Sequence, residues 1–305
     1  MARYVRVSTI SFPGAGGAVE DRVERARQSA SEWLDRAALD RPDIVCLPET
    51  FAALGLSNEE WFKTAEPVPG PTTEVLAAKA REYHMYVICP LVEQQGDKVY
   101  NSAVLIDREG QILGAYHKIH PTISEIEVGI TPGTEPTVFT TDFGQIGCAI
   151  CYDLNFRQVI EGLKAKGAEM VFFPSMYRGG LQLRIWAYDF GVFVASATPG
   201  EQSAIVNPLG RVLVESSNYE RIISRRLNLD CRVLHLDYNH PKFEDLKRKY
   251  GPAVEIEVAT PEASCLLISH HPEVTVEDIL REFELEPRDA YLARANAVRT
   301  QALSR

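Results

Sequence analysis

Three residue types in this chain could together carry out acyl transfer: a thiol, a carboxylate and an ammonium, each placed where an apolar strand gives out. Cys151 follows a strand-like stretch at 145–150 and precedes helical spacing over about 155–166, which puts it on a sharp strand-to-helix turn. Such a turn exposes the side chain. The helix N-terminus behind it is expected to lower the thiol pKa and to offer N–H groups to a developing anion. Glu49, in Cys46-Leu-Pro-Glu-Thr-Phe51, ends the short apolar strand 44–47, and Lys118, in Tyr116-His-Lys-Ile-His-Pro121, follows the strand 111–116. Each alone has a plainer reading, since free cysteine is among the most buried residue types and charges at strand ends are usually solvated. Together they can do chemistry: a carboxylate takes the thiol proton, the thiolate attacks a carbonyl, and an ammonium holds the oxyanion.

Other candidates read as structure. Cys148 forms Cys-x-x-Cys with Cys151. In a redox pair the first cysteine begins the helix, whereas Cys148 lies inside the strand, and no second such motif or histidine pair completes a metal set. It belongs to the core. His117 and His120 flank Lys118, but Glu49 already serves as base. The glycine-rich segment 13–17 lacks the third glycine of a dinucleotide fingerprint and any P-loop ending, so it is expected to be a flexible loop.

The elements that must position these groups alternate regularly. A strand over 4–12 precedes apolar residues at three-to-four spacing from Val19 to Ala37, an amphipathic helix; the strand 44–47 follows, with a parallel pairing implied. A helix over 73–84 and strands at 86–92, 100–106 and 111–116 make a meander. From 137 onward, strands at 145–150, 170–174, 192–197 and 232–238 alternate with helices at about 155–166 and 183–190 and a hairpin turning at 207–210. No linker or repeat interrupts this pattern, so residues 1–238 read as one layered α/β domain. Residues 239–305, with a charged stretch at 242–249 and a mostly polar final helix, read as an extension that packs on that body or at a subunit interface. Loops after the strands should supply the pocket walls, with Phe51, Tyr152, Asn155, Ser175, Met176, Tyr177 and Arg178 as candidates.

Composition narrows the partners. The chain has 305 residues, with Lys+Arg 32 against Asp+Glu 42 and a net charge of −10, which argues against nucleic acid and acidic membranes and for a small-molecule partner. Its longest apolar runs, 170–174 and 192–197, fall far short of the roughly 20 residues a membrane span needs. Six scattered cysteines in a chain without a secretion signal point to thiols in a reducing cytosol.

Glu in Leu-Pro-Glu-Thr-Phe, Lys in His-Lys-Ile-His-Pro and Cys in Ile-Cys-Tyr-Asp, in that order, resemble the nitrilase superfamily of carbon–nitrogen hydrolases. The resemblance runs over about 3–238 and is supported by Gly144-x-x-Gly147, Phe173-Pro-Ser175 and the stretch Ser203-Ala-Ile-Val-Asn-Pro-Leu-Gly-Arg-Val212. It implies a four-layer αββα sandwich, assembled at least as a dimer. It also implies Cys151 as nucleophile, Glu49 as general base and later acid, and Lys118 with the Tyr152 backbone N–H as oxyanion donors. A second glutamate beyond the lysine is implied, with Glu125 favoured over Glu127. No metal or cofactor is required. Cys-Tyr-Asp-Leu-Asn-Phe is similar to amidase-like and carbamoylase-like branches, whereas nitrilases usually carry Trp-Glu after the cysteine. The expected activity is therefore cysteine-dependent hydrolysis of a small amide or N-carbamoyl compound with release of ammonia. The alternatives are nitrile hydrolysis, acyl transfer or a non-catalytic relative. Arg157 stands where many members have proline, and would favour acidic substrates only if it points inward.

Overall fold

A computed structural model of the chain describes residues 2–15 and 19–304. They form two compact units, a larger one, Val5–Arg226, and a smaller one from the chain ends, residues 2–4 and 227–304. The first half of the chain gives β1 (Tyr4–Ile10), α1 (Val19–Ala37), β2 (Ile44–Cys46), α2 (Asn58–Phe62), α3 (Pro71–Tyr83), β3 (Tyr86–Gln95), β4 (Lys98–Ile106), β5 (Ile112–His117) and α4 (Ile123–Glu127). There follow β6 (Val138–Thr140), β7 (Gln145–Cys148), α5 (Arg157–Ala165), β8 (Met170–Pro174), α6 (Gly180–Phe190), β9 (Phe193–Ala197), β10 (Ala204–Val206), β11 (Val212–Glu215) and β12 (Ile222–Asn228). The segment 13–17 lies in part outside the described residues.

Two six-stranded sheets result, ordered β12-β1-β2-β3-β4-β5 and β11-β10-β9-β8-β7-β6. Each has a parallel core, β1-β2-β3 in one and β7-β8-β9 in the other, extended by antiparallel strands. Residues of α1 at helical spacing, Ala26, Ala30, Leu34 and Ala37, pack with α3 on Val45, Leu47 and Val87 of the first sheet. Val159, Ile160 and Leu163 of α5 and Leu183 and Ala187 of α6 pack likewise on Val171, Phe173 and Val194 of the second. The inner faces meet, with Ser11 Oγ 2.6 Å from both Ser203 Oγ and Ser216 Oγ. This is the αββα sandwich. β3 is buried through its first eight residues, as expected of a strand covered on both faces.

The strand expected at 232–238 does not complete that body. Cys231–His235, here β13, is in the smaller unit, where it pairs antiparallel with β15 (Ser264–Ser269), which also pairs with β14 (Val254–Ala259). The larger unit ends at Arg226, and β13 lies in the smaller one. Apolar alternation marks a strand but not its partner, and here the partners come from the segment read as an extension. Helices α7 (Phe243–Tyr250), α8 (Val276–Glu282) and α9 (Arg288–Leu303) complete the smaller unit. Its core includes Leu234, Leu246, Val254, Leu267 and Ile279. No described helix is long and apolar enough to cross a membrane.

Gly133 shows how tightly the fold clamps the end of β5. Its N–H donates to the Lys118 carbonyl at 2.8 Å, and a Cβ at this position would overlap the His117 carbonyl. Gly133→Ala should therefore destabilise the protein by about 1–3 kcal/mol, as overpacking does. A urea melt with the wild-type midpoint would show that this contact yields freely.

Candidate active site

The expected chemical groups converge at the ends of strands. Glu49 follows β2 by three residues, Cys151 follows β7 by three, and Lys118 follows β5 directly. Lys118 Nζ lies 2.9 Å from Glu49 Oε1 and 3.0 and 2.8 Å from the two Glu125 oxygens. All three side chains are almost fully buried, Lys118 at 1% exposure. Glu127 is exposed, so of the two candidate glutamates the structure brings Glu125 to the site.

Local sequence explains how each is held. Thr122 caps α4 and forms a capping box with Glu125, whose Oε2 accepts the Thr122 N–H at 2.6 Å. Glu49 Oε2 accepts the Met176 N–H at 2.9 Å, from the turn after β8. Asp153, fully buried, accepts from Tyr116 Oη at 2.7 Å, His120 N at 2.8 Å and Ile150 N at 2.9 Å. One carboxylate thus ties the segment around Lys118 to the turn that carries Cys151. Cys151 itself has a φ of 49°, the left-handed region that a non-glycine residue enters at a cost.

One electrostatic expectation is corrected. Cys151 opens a single 3₁₀ turn, Cys151–Asn155, and α5 begins only at Arg157, so no α-helix N-terminus adjoins the sulfur. Burial first, and the Glu49 carboxylate second, push the Cys151 thiol up to about 12 against the pull of Lys118. Both favour the protonated thiol. For Lys118, burial works against the ammonium, but Glu49 and Glu125 outweigh it and raise its pKa. Glu125 is held below the usual carboxylate range, since Lys118 and its hydrogen-bond donors outweigh burial.

A cavity of about 310 Å³ opens on Glu49, Lys118, Glu125 and Cys151, with Ala53, Leu56, Trp61 and Met176 as apolar wall. That is the lower end of ligand-pocket sizes, roughly 300–1,000 Å³. Of the expected pocket walls, Met176 alone is among the lining residues. Phe51 is core, edge-on to Phe12. Ser175 Oγ is used within its own turn, donating to the Tyr177 carbonyl at 2.7 Å. Asn155 bonds to the Tyr152 carbonyl and to Gln182, Tyr152 packs edge-on to Phe156, and Arg178 pairs with Glu201. Tyr177 packs on Phe173, and its phenol is pushed up to about 12, chiefly by burial. Arg157 turns outward to Glu161 and Asp189 and provides no positive charge to the cavity. His117 pairs with Glu93 and stacks on Tyr100, and Cys148 is a buried free thiol.

Sequence reasoning missed Asn101 and Trp61. Asn101 Nδ2 donates to Glu49 Oε1 at 2.8 Å and Glu125 Oε1 at 2.9 Å. An asparagine inside an otherwise apolar strand, where the type is depleted, was the available signal. For Trp61 it was the Ser57-x-x-Glu60 capping box that starts α2.

A half-buried thiol, a buried carboxylate and a buried ammonium at the strand ends of an αββα sandwich form the set that cysteine hydrolases use. The chain belongs to the carbon-nitrogen hydrolase family of the nitrilase superfamily, and the model of that family matches residues 17–232. It is 28% identical over 229 residues to omega-amidase NIT2 of Xenopus tropicalis, covering 66% of this chain and 82% of that protein. Among solved structures it is similar to Nit3 of Saccharomyces cerevisiae, with TM-score 0.65 and 22% identity over 82% of this chain and 95% of the other. It is also similar to an amidase from Nesterenkonia sp., with TM-score 0.62 and 19% identity over 81% and 96%. These two likenesses are likenesses of fold.

Replacing Lys118 by methionine leaves two buried carboxylates without their cation, which should cost about 3–5 kcal/mol at pH 7. The deficit should shrink as pH falls and Glu125, which Lys118 holds below the usual carboxylate range, protonates in the variant. Urea melts of both proteins at pH 7 and pH 5 read this directly; a deficit independent of pH would contradict it.

Proposed function

We propose that the protein hydrolyses the C–N bond of small amides or N-carbamoyl compounds through a thioester on Cys151. The observation that carries this reading is that the Cys151 thiol opens on the same cavity as Glu49 and Lys118, with the Lys118 ammonium 2.9 Å from the Glu49 carboxylate. The thiolate is the attacking form, so the thiol proton leaves as the sulfur attacks. Glu49 takes that proton while the S–C bond forms. Negative charge on the carbonyl oxygen falls to Lys118 and to the Tyr152 N–H, one of the first N–H groups of the 3₁₀ turn and so without a partner inside it. As the C–N bond breaks, Glu49 passes its proton to the departing amine. Water, deprotonated by the same carboxylate, then attacks the thioester, and the acid leaves as the thiol is restored.

Glu125 does not compete for these protons. Asn101 and Lys118 both donate to its Oε1, and Lys118 and Thr122 to its Oε2, so its lone pairs are occupied and its task is to hold the lysine. The outward turn of Arg157 removes the sequence argument for acidic substrates. Six free cysteines support a reducing, cytoplasmic setting, and the family resemblance supports assembly at least as a homodimer.

The test is ammonia release from aliphatic amides, aromatic amides, N-carbamoyl amino acids and nitriles by wild type and Cys151→Ala. Amides or carbamoyl compounds should respond, with the variant down by about 10⁴-fold or more. Turnover of nitriles alone would reassign the reaction, and an unimpaired Cys151→Ala enzyme would refute the thioester.

A further inference from the structure

We propose that Asn101 is a positioning residue for the reaction, orienting both site carboxylates through one amide and deciding which oxygen of Glu49 receives the thiol proton. The inference rests on the reading of Glu49 as base. Asn101 is fully buried in β4, and both hydrogens of its amide are engaged, one on Glu49 Oε1 and one on Glu125 Oε1. Its backbone carbonyl accepts the Lys118 N–H at 2.9 Å, so the same residue also fixes where the lysine leaves the sheet. In contrast, its Oδ1 is buried with no partner among the described residues.

That orphan oxygen is informative. Turning the amide over gives no relief, because it would set Oδ1 against two carboxylate oxygens that can only accept. The two carboxylates therefore determine the amide's orientation, and the amide in turn fixes theirs. Glu49 Oε1 holds two donors, Lys118 and Asn101, and is saturated. Glu49 Oε2 accepts the Met176 N–H and, among the described residues, no second donor, so it keeps a lone pair. It is the oxygen open to the thiol proton. Without Asn101, Glu49 can rotate and offer either oxygen, and loses a donor that stabilises its charged form.

Asn101→Ala and the shape-matched Asn101→Leu test this, each measured for ammonia release, thermal melting and the pH dependence of Cys151 alkylation by iodoacetamide. The expected result is kcat lower by about 10- to 100-fold, as small misplacement of a reacting group produces, with KM within about twofold. The acid limb of the alkylation profile should depart from that of the wild type, because Glu49 no longer presents one fixed oxygen to the thiol. Variants that melt earlier yet keep the wild-type limb and kcat would assign Asn101 to packing and overturn the proposal. If one variant does not fold, the other supplies the reading. A wild type that alkylates at Cys151 but hydrolyses no amide would remove the proposed function and leave the alkylation profile to decide the role of Asn101.

Discussion

The site depends on the burial of a single ammonium. Lys118 gives up nearly all its hydration, and an isolated charge in that position would be lost to deprotonation. Two carboxylates keep it charged, but two carboxylates around one lysine leave an excess negative charge that must itself be solvated by the protein. The Asn101 amide and the Thr122 and Met176 N–H groups do this. Each comes from a different element, so β4, the first turn of α4 and the turn after β8 are all fixed by the same electrostatic requirement.

That requirement explains the architecture around it. Parallel strands leave their carboxyl ends free of hairpin turns, and sites in open α/β sheets gather there. Here two sheets bring such ends together, Glu49 from one and Cys151 from the other, with Asp153 as the tie that keeps the cysteine turn in register with the segment following β5. The left-handed φ of Cys151 is the backbone cost of aiming the sulfur at this cluster. Rigid surroundings maintain it.

The surroundings of Cys151 change how a nucleophile placed there is understood. A cysteine at an α-helix N-terminus is favoured as thiolate, whereas burial and the Glu49 carboxylate push the Cys151 thiol up to about 12. The helix that would have altered this begins six residues later, after a 3₁₀ turn. The small apolar wall of Ala53, Leu56, Trp61 and Met176 serves the same end, since excluding water strengthens the fixed donors.

The sequence alone determined the class of the protein, the alternation of its larger unit and the residue types of the reaction. Apolar periodicity and strand-end position are local properties, and Glu49, Lys118 and Cys151 each stand at the end of a legible strand. Glu125 was named over Glu127 through the family resemblance, which implies a second glutamate beyond the lysine. Tertiary structure decided what depends on pairing. It gave β13 to the smaller sheet, because alternation does not name a strand's partner. It turned Phe51, Ser175 and Arg178 away from the cavity, because the direction of a loop side chain follows from its neighbours. It set Asn101 between two carboxylates far away in sequence, and it raised the thiol pKa, because desolvation is a property of the surroundings and not of the residue.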